Sequence, residues 1–174
     1  MKDRVEIVSV DSIEPYIEEL SGLLMSVVED GASIGFLPPL SRSSAKEYWA
    51  GALQPGVALW IAQAGSAIVG SVQLQSCMKP NGLHRAEIAK LMVHADSRRR
   101  GIGRLLMERA EERAGQEGRS LLVLDTREGD PSNVLYASLG YVHAGTIPRY
   151  ARSANGELEA TRYYYKLLGA DSSS

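Results

Sequence analysis

The 174-residue sequence predicts an α/β protein with a mixed, mostly antiparallel sheet of six to seven strands flanked by about four helices. Three observations predict it. Strand-like alternation from Val57 to His94 is broken only by Gly65-Ser66 and Lys79-Pro80-Asn81-Gly82, which are turn signals and imply an antiparallel meander. The run Leu121-Leu122-Val123-Leu124 is apolar at every position, as expected of a strand covered on both faces and parallel to its predecessor after a helical crossover. Between them lies Arg98-Arg99-Arg100-Gly101-Ile102-Gly103-Arg104, whose two glycines open that crossover helix with no Cβ to keep the backbone from an anion.

Taken in order, Val5 to Val10 alternates as a short strand, and Ile13, Tyr16, Ile17, Leu20, Leu24, Val27 and Val28 recur at helical spacing from about Ser12. Pro15 is tolerated in a first turn, and Asp30-Gly31 closes the helix. Gly31 to Pro39 follows no periodicity and is read as a loop. Ser44-Ala45-Lys46-Glu47 has capping-box form, which starts a second helix over Ala45 to Leu53. The meander strands are Val57 to Ala64, Ala67 to Cys77 and Arg85 to His94. The next helix runs from Gly101 to about Glu117 and carries Ile102, Leu105, Leu106, Ala110 and Ala114 on its apolar face. After the apolar strand, Asp130-Pro131-Ser132-Asn133 starts a short helix ended by Gly140, Tyr141 to Ala144 is a strand, and Arg162 to Leu167 alternates as the last one. Gly145 to Glu159 reads as polar and irregular.

A hydrophobic content of 44 % over this length supports one core, so residues 1–168 are expected to form one domain, with Gly169 to Ser174 a disordered tail. With 19 basic and 21 acidic side chains the net charge is −2, and no aromatic residues interleave with the arginine cluster, so nucleic acid is not an expected partner. A single cysteine, Cys77, cannot form an internal disulfide, and no run of about 18 apolar residues is present. A cytoplasmic protein without membrane contact, monomeric or homodimeric, is expected. His84, His94, His143 and Cys77 lack the close paired spacing of a zinc site, so no metal is expected.

The segment Arg98-Arg99-Arg100-Gly101-Ile102-Gly103, the preceding strand Leu91-Met92-Val93 and the downstream Asn133-x-x-Tyr136-x-x-x-Gly140-Tyr141 resemble the acetyl-CoA motif and second motif of the GCN5-related N-acetyltransferase (GNAT) superfamily. A P-loop would need Gly-Lys-Ser/Thr, and a dinucleotide fingerprint would need a third glycine where Leu106 stands. Within the superfamily, Gly31-Ala32-Ser33-Ile34-Gly35-Phe36, Lys79-Pro80-Asn81-Gly82-Leu83, Arg85-Ala86-Glu87 and Leu124-Asp125-Thr126 are similar to the tabtoxin-resistance acetyltransferases, which acetylate the amino group of a small β-lactam amino-acid toxin.

The resemblance implies acetyl-CoA as donor, its pyrophosphate cradled by the backbone of Arg99 to Arg104 with arginine side chains adding charge, and its pantetheine arm paired along Leu91, Met92 and Val93, with Asn133 also in the cofactor site. The backbone N–H of Met92 or Val93 would be the oxyanion donor. Glu87 is the first candidate for the base that takes a proton from the acceptor amine, and it would share a face with Ala89, Leu91 and Val93 if no bulge intervenes. Asp125, at the C-terminal end of the apolar strand, is the second, and the choice between them stays open. Tyr136 would protonate the departing thiolate. Ser33, Phe36, Arg85 and Arg149, with Tyr150 and Arg152 nearby, are expected to select the acceptor, the arginines by pairing with a carboxylate. Acceptors of the protein kind, an N-terminus or a lysine, would use the same cofactor site, and a non-catalytic acyl-CoA-binding regulator is the remaining reading.

Overall fold

A computed structural model describes residues 3–169. Seven strands, β1 (Val5–Ser9), β2 (Val57–Ala64), β3 (Ala67–Ser76), β4 (Arg85–Val93), β5 (Leu121–Arg127), β6 (Val142–Arg152) and β7 (Leu158–Leu167), form one sheet in the order β1-β2-β3-β4-β5-β7-β6. Every neighbouring pair is antiparallel except β4 and β5, which the crossover makes parallel. The four helices are α1 (Ile17–Glu29), α2 (Arg42–Ala50), α3 (Ile102–Gln116) and α4 (Ser132–Ser138). Of the expected tail, residues 170–174 lie outside the described residues. No described helix is long and apolar enough to cross a membrane.

Strand alternation divides the core in two. Leu59 and Ile61 of β2 join Leu20, Leu24, Val27 and Trp49 of α1 and α2 on one face, while Trp60 and Ala62 join Ile102, Leu106, Met107, Ala110 and Ala114 of α3 on the other. Met107 therefore belongs to the apolar face of α3, and Leu105, expected there, is exposed.

Several boundaries differ from the sequence reading. Tyr16 N–H donates to the Ile13 carbonyl at 2.8 Å in a 3₁₀ turn over Glu14–Tyr16, so α1 begins after Pro15 rather than at Ser12. Its expected end holds, with Gly31 at φ +92° and Ala32 N–H on the Val27 carbonyl. The cap of α2 is Ser41, whose hydroxyl accepts from Ser44 N–H at 3.1 Å, so this helix starts three residues earlier than the Ser44 capping box implied. β6 extends through the stretch read as irregular. That edge strand is exposed along nearly its whole length, so neither face demands apolar residues and no alternation is written into it.

Two irregularities position the site. β4 pairs with β5 only over Arg85↔Leu121, Ala86↔Leu122 and Glu87↔Val123, after which the two parallel strands separate and leave the β4 edge from Ile88 onward without a partner on that side. On its other edge, β4 carries a bulge. Gln73 lies opposite Ala89 and Ser71 opposite Met92, so β4 has one residue more than β3 in this interval, and Lys90 there has φ +55°.

Candidate active site

The bulge resets which face each β4 side chain meets. Before it, Ala86 and Ile88 enter the α3 core; after it, Leu91 and Val93 pack toward α3 while Met92 enters the α1/α2 core. Glu87 consequently does not share a face with Leu91 and Val93, as an unbroken strand would require, but lies on the α1/α2 side with Lys90 and Met92. Leu122 and Leu124 point to α3, so Asp125 and Arg127 of β5 also stand on the α1/α2 side.

These residues line a cavity of about 330 Å³ that opens where β4 and β5 part. Its walls include Ser33 to Gly35 of the loop after α1, Glu87 and Lys90 of β4, Asp125 and Arg127 of β5, and Tyr150 of β6. Tyr136 reaches the same space from α4, on the opposite side of the sheet. The gap between the strands thus connects two carboxylates on one face with a buried phenol on the other.

Partial desolvation on the strand, with the neighbouring Asp125 charge adding to it, raises the Glu87 carboxyl from its ordinary value, Lys90 opposes the shift, and the side chain keeps access to solvent. Asp125 accepts from the Thr161 hydroxyl at 2.8 Å. Burial raises the Tyr136 phenol well above its ordinary value, with Asp130 and Asp125 adding to the effect, so it stays protonated at any working pH. Its ring is stacked edge-on to Tyr141 at 5.9 Å and tilted toward Tyr164 at 6.0 Å.

The start of α3 offers an anion site. Backbone N–H groups from Arg99 to Arg104 have no backbone acceptor among the described residues, the first intrahelical bond being Leu105 N–H to the Gly101 carbonyl. Gly101 caps the helix at φ +74° without any side-chain capping bond, and a Cβ placed there would meet nothing within 4 Å. That concave row of donors, open to solvent at the positive end of a helix, fits a pyrophosphate. Gly103 has a different reason. A Cβ at 103 would stand 3.2 Å from Leu135 Cδ2, so this glycine lets α3 pack against α4 rather than admitting a ligand. Arg98 pairs with Asp30 at 2.9 Å, Arg100 donates to the Asp3 carbonyl at 2.9 Å and Arg104 donates to Ser138 Oγ at 2.6 Å, each holding the loop to a neighbouring element. Arg99, itself at φ +63°, has no ion pair or side-chain hydrogen bond among the described residues.

A profile of the Acetyltransferase (GNAT) family matches residues 18–141, which span both the anion site and the strand gap. The chain belongs to this family. It is accordingly an N-acetyltransferase, with acetyl-CoA as the donor. The fold is also that of solved GNAT structures: a GNAT acetyltransferase from Streptococcus pneumoniae (20 % identity, 94 % of this chain and 100 % of that chain, TM-score 0.77), a putative acetyltransferase from Salmonella typhimurium with its cofactor acetyl-CoA (14 %, 98 % and 98 %, TM-score 0.79), and the ribosomal-protein-S18-alanine N-acetyltransferase from Escherichia coli (17 %, 98 % and 99 %, TM-score 0.72).

For this GNAT chain the structure relocates several expected acceptor residues. Arg85 stands at the paired end of β4, its guanidinium against Gly82, and is not among the cavity residues. Arg149, at φ +54° in an irregular stretch of β6 between Ile147 and Ala151, is exposed and outside the cavity, while Tyr150 beside it turns in. Arg152 donates to the Gly156 carbonyl at 2.6 Å in the β6–β7 turn. Ser33 does line the cavity, whereas Phe36 is not among its lining residues and packs edge-on to Tyr48, with Lys90 Nζ 5.6 Å from its ring centroid. Asn133 is 9 % exposed; its amide donates to the Arg127 and Asp130 carbonyls at 3.0 and 2.8 Å and accepts from Tyr164 Oη at 2.7 Å, so its side chain anchors α4 to β5 and β7. The cations that do reach the cavity, Lys90 and Arg127, were not singled out from sequence. A lysine in a strand and an arginine after one carry no local signal of where a bulge or a neighbouring loop will place them.

A calorimetric test of the anion site follows. Acetyl-CoA at about 100 times its Kd should stabilise the native chain by about 2.7 kcal/mol, which for this size raises Tm by roughly 5–10 °C. Gly101→Val should abolish the titration heat at temperatures where circular dichroism still shows a folded chain. Absence of both heat and melting shift in the wild type at saturating acetyl-CoA would contradict the assignment of the cradle.

Proposed function

We propose that the acceptor is a small primary amine, acetylated by direct attack with Glu87 as base, Asp125 orienting the incoming ammonium and Tyr136 as acid. The observation that carries the reading is the small size of the cavity, narrowed from both sides. Lys90 Nζ donates to the Ile34 carbonyl at 2.6 Å and an Arg127 Nη1 donates to the Gly31 carbonyl at 3.2 Å, tying the loop after α1 down on one side. On the other, Tyr150 and Tyr163 share a hydroxyl hydrogen bond of 3.0 Å across β6 and β7. The cavity as a whole, about 330 Å³ including the end lined by Leu91 and Tyr136 where the donor's acetyl group would lie, is at the small end of ligand pockets, which suits one compact molecule better than an extended chain.

Charge supports an amine. Four carboxylates, Glu87, Asp125, Asp130 and Glu159, line the space against two cations, Lys90 and Arg127. An ammonium is attracted there, gives its proton to the Glu87 carboxylate and attacks as the neutral amine. The donor supplies an activated acetyl group. In this reading the N–H of Met92 or Val93, on the strand edge that β5 leaves unpaired, steadies the developing oxyanion, Tyr136 Oη passes its proton to the departing sulfur as the C–S bond breaks, and the second proton shed by the new amide nitrogen restores the phenol. The narrower acceptor suggested by the tabtoxin-resistance likeness is an amino-acid-like toxin or antibiotic. Its carboxylate would have to find Lys90 or Arg127, since Arg149 and Arg152 lie elsewhere.

A screen following free-thiol release from acetyl-CoA tests the proposal, with small amines set against peptides bearing a free N-terminus or lysine. Turnover only on peptides would transfer the reading to a protein acetyltransferase; saturable acetyl-CoA binding without turnover on any acceptor would make the chain a regulator. An amino acid compared with its amide separates the toxin-like acceptor from a plain amine. For the accepted amine, the acid limb of kcat/KM should lie above the ordinary glutamate value, because partial desolvation raises Glu87 and the base works only when ionised. Glu87→Gln should remove that limb and leave a residual rate that climbs with pH as free amine accumulates. Parallel profiles for variant and wild type would exclude Glu87 as the base.

A further inference from the structure

The bulge in β4 places Lys90 in an unusual setting. Without the extra residue, an alternating strand would send this side chain to the face opposite Glu87; with it, the ammonium lines the same cavity as Glu87 and Asp125. Lys90 Nζ donates to the Ile34 carbonyl at 2.6 Å and lies 5.6 and 5.9 Å from the ring centroids of Phe36 and Tyr48. Tyr48 is in turn held by Gln73, whose amide donates to its hydroxyl at 2.8 Å.

The other cavity cation is already matched. Arg127 stands 3.6 Å from Asp130 and 3.5 Å from Glu159. Lys90 has no carboxylate within ion-pair distance among the described residues, so its charge acts through space on the Glu87 and Asp125 pair. Around Glu87 the remaining titratable neighbours are Asp125 from β5, Tyr163 from β7, Tyr150 from β6 and, below Lys90, Tyr48 from α2. Burial raises Tyr48, and the hydroxyl hydrogen bond shared with Tyr150 together with burial raises Tyr163, so both remain uncharged in the working range. Asp125 disfavours a second negative charge at Glu87, and Lys90 favours it.

We infer that Lys90 is a positioning residue for acetyl transfer: it fastens the Gly31 to Phe36 loop over the acceptor and holds Glu87 in its ionised form beside Asp125. The inference rests on the small-amine reading above and adds a residue that neither touches the reacting atoms nor belongs to the cofactor motif. Its two duties separate by experiment. Fastening the loop acts on acceptor binding, whereas favouring the Glu87 carboxylate acts on the pH at which the base becomes available.

The test is a pH series of kcat/KM on a small amine that the wild type acetylates. Lys90→Met keeps the apolar stem on Phe36 and Tyr48 but removes the charge, and should move the acid limb to higher pH, so that rates below the limb fall by the factor the limb has moved. Lys90→Gln, still able to donate to Ile34, should move the limb as far while raising the acceptor KM less; it also serves if the methionine variant does not fold. Lys90→Arg should return the limb to the wild-type position. Phe36→Leu, which loosens the same loop without changing charge, should raise KM and leave the limb in place. A limb unmoved in both uncharged variants, with activity merely reduced, would overturn the inference while leaving the small-amine reading intact. A wild type that acetylates no small amine at all would overturn both.

Discussion

Tyr136→Phe is expected to lower kcat by ~10²-fold while acetyl-CoA affinity stays near that of the wild type, since loss of a general acid typically costs 10²-fold or more. The substitution removes one oxygen and leaves the ring. Tyr136 is only 6 % exposed and packs against Tyr141 and Tyr164, so phenylalanine preserves these aromatic contacts and the fold should melt close to the wild-type temperature. The strongly raised pKa decides how the proton is used. A phenol this weakly acidic will not ionise on its own, but it can donate as negative charge grows on the leaving sulfur, when a hydrogen bond in a water-poor site is most effective. Rapid-quench measurement of the acetyl-transfer step, paired with calorimetric Kd values for acetyl-CoA, separates this from a binding defect. An unchanged transfer rate would return Tyr136 to the aromatic packing of α4.

Trp49→Ala is expected to destabilise the chain by about 3–5 kcal/mol, the cost of deleting a large buried aromatic from a packed core. Trp49 is fully buried, and its indole N–H donates to the Leu20 carbonyl of α1 at 3.0 Å, a buried hydrogen bond that the substitution deletes along with the ring. The consequence reaches the site. Trp49 packs edge-on to Tyr48 at 5.1 Å, and Tyr48 supports both Phe36 and Lys90. Urea unfolding should show a lower midpoint with an unchanged slope, and the melting temperature should drop by roughly 6–20 °C. Trp49→Phe, which keeps most of the apolar volume, should lose much less. A loss below about 1 kcal/mol for Trp49→Ala would mean that the α1/α2 core contributes little to global stability.

Much of this architecture is written in short stretches. The Gly65-Ser66 hairpin, the helix opened by Gly101 and the apolar run beginning at Leu121 can each be recognised because their cause is local: a turn conformation, a free helix end, a strand covered on both sides. The same stretches carried the family, and Glu87, Asp125 and Tyr136 do converge on one cavity. The face of Glu87 was not local. It depends on one surplus residue of β4 measured against β3, a quantity that exists only when two strands are in register, and that single offset also brings Lys90 into the site. Arg127 likewise acquired its place from Gly31, ninety-six residues earlier in the chain, while Arg85, Arg149 and Arg152 were drawn away by strand pairing and turn geometry. Residue types and their spacing along the chain thus determined the sheet, the crossover and the acetyl-transfer chemistry. Which cations face the cavity was decided by tertiary register, because a side chain's direction is set by the strand beside it as much as by its own neighbours in sequence.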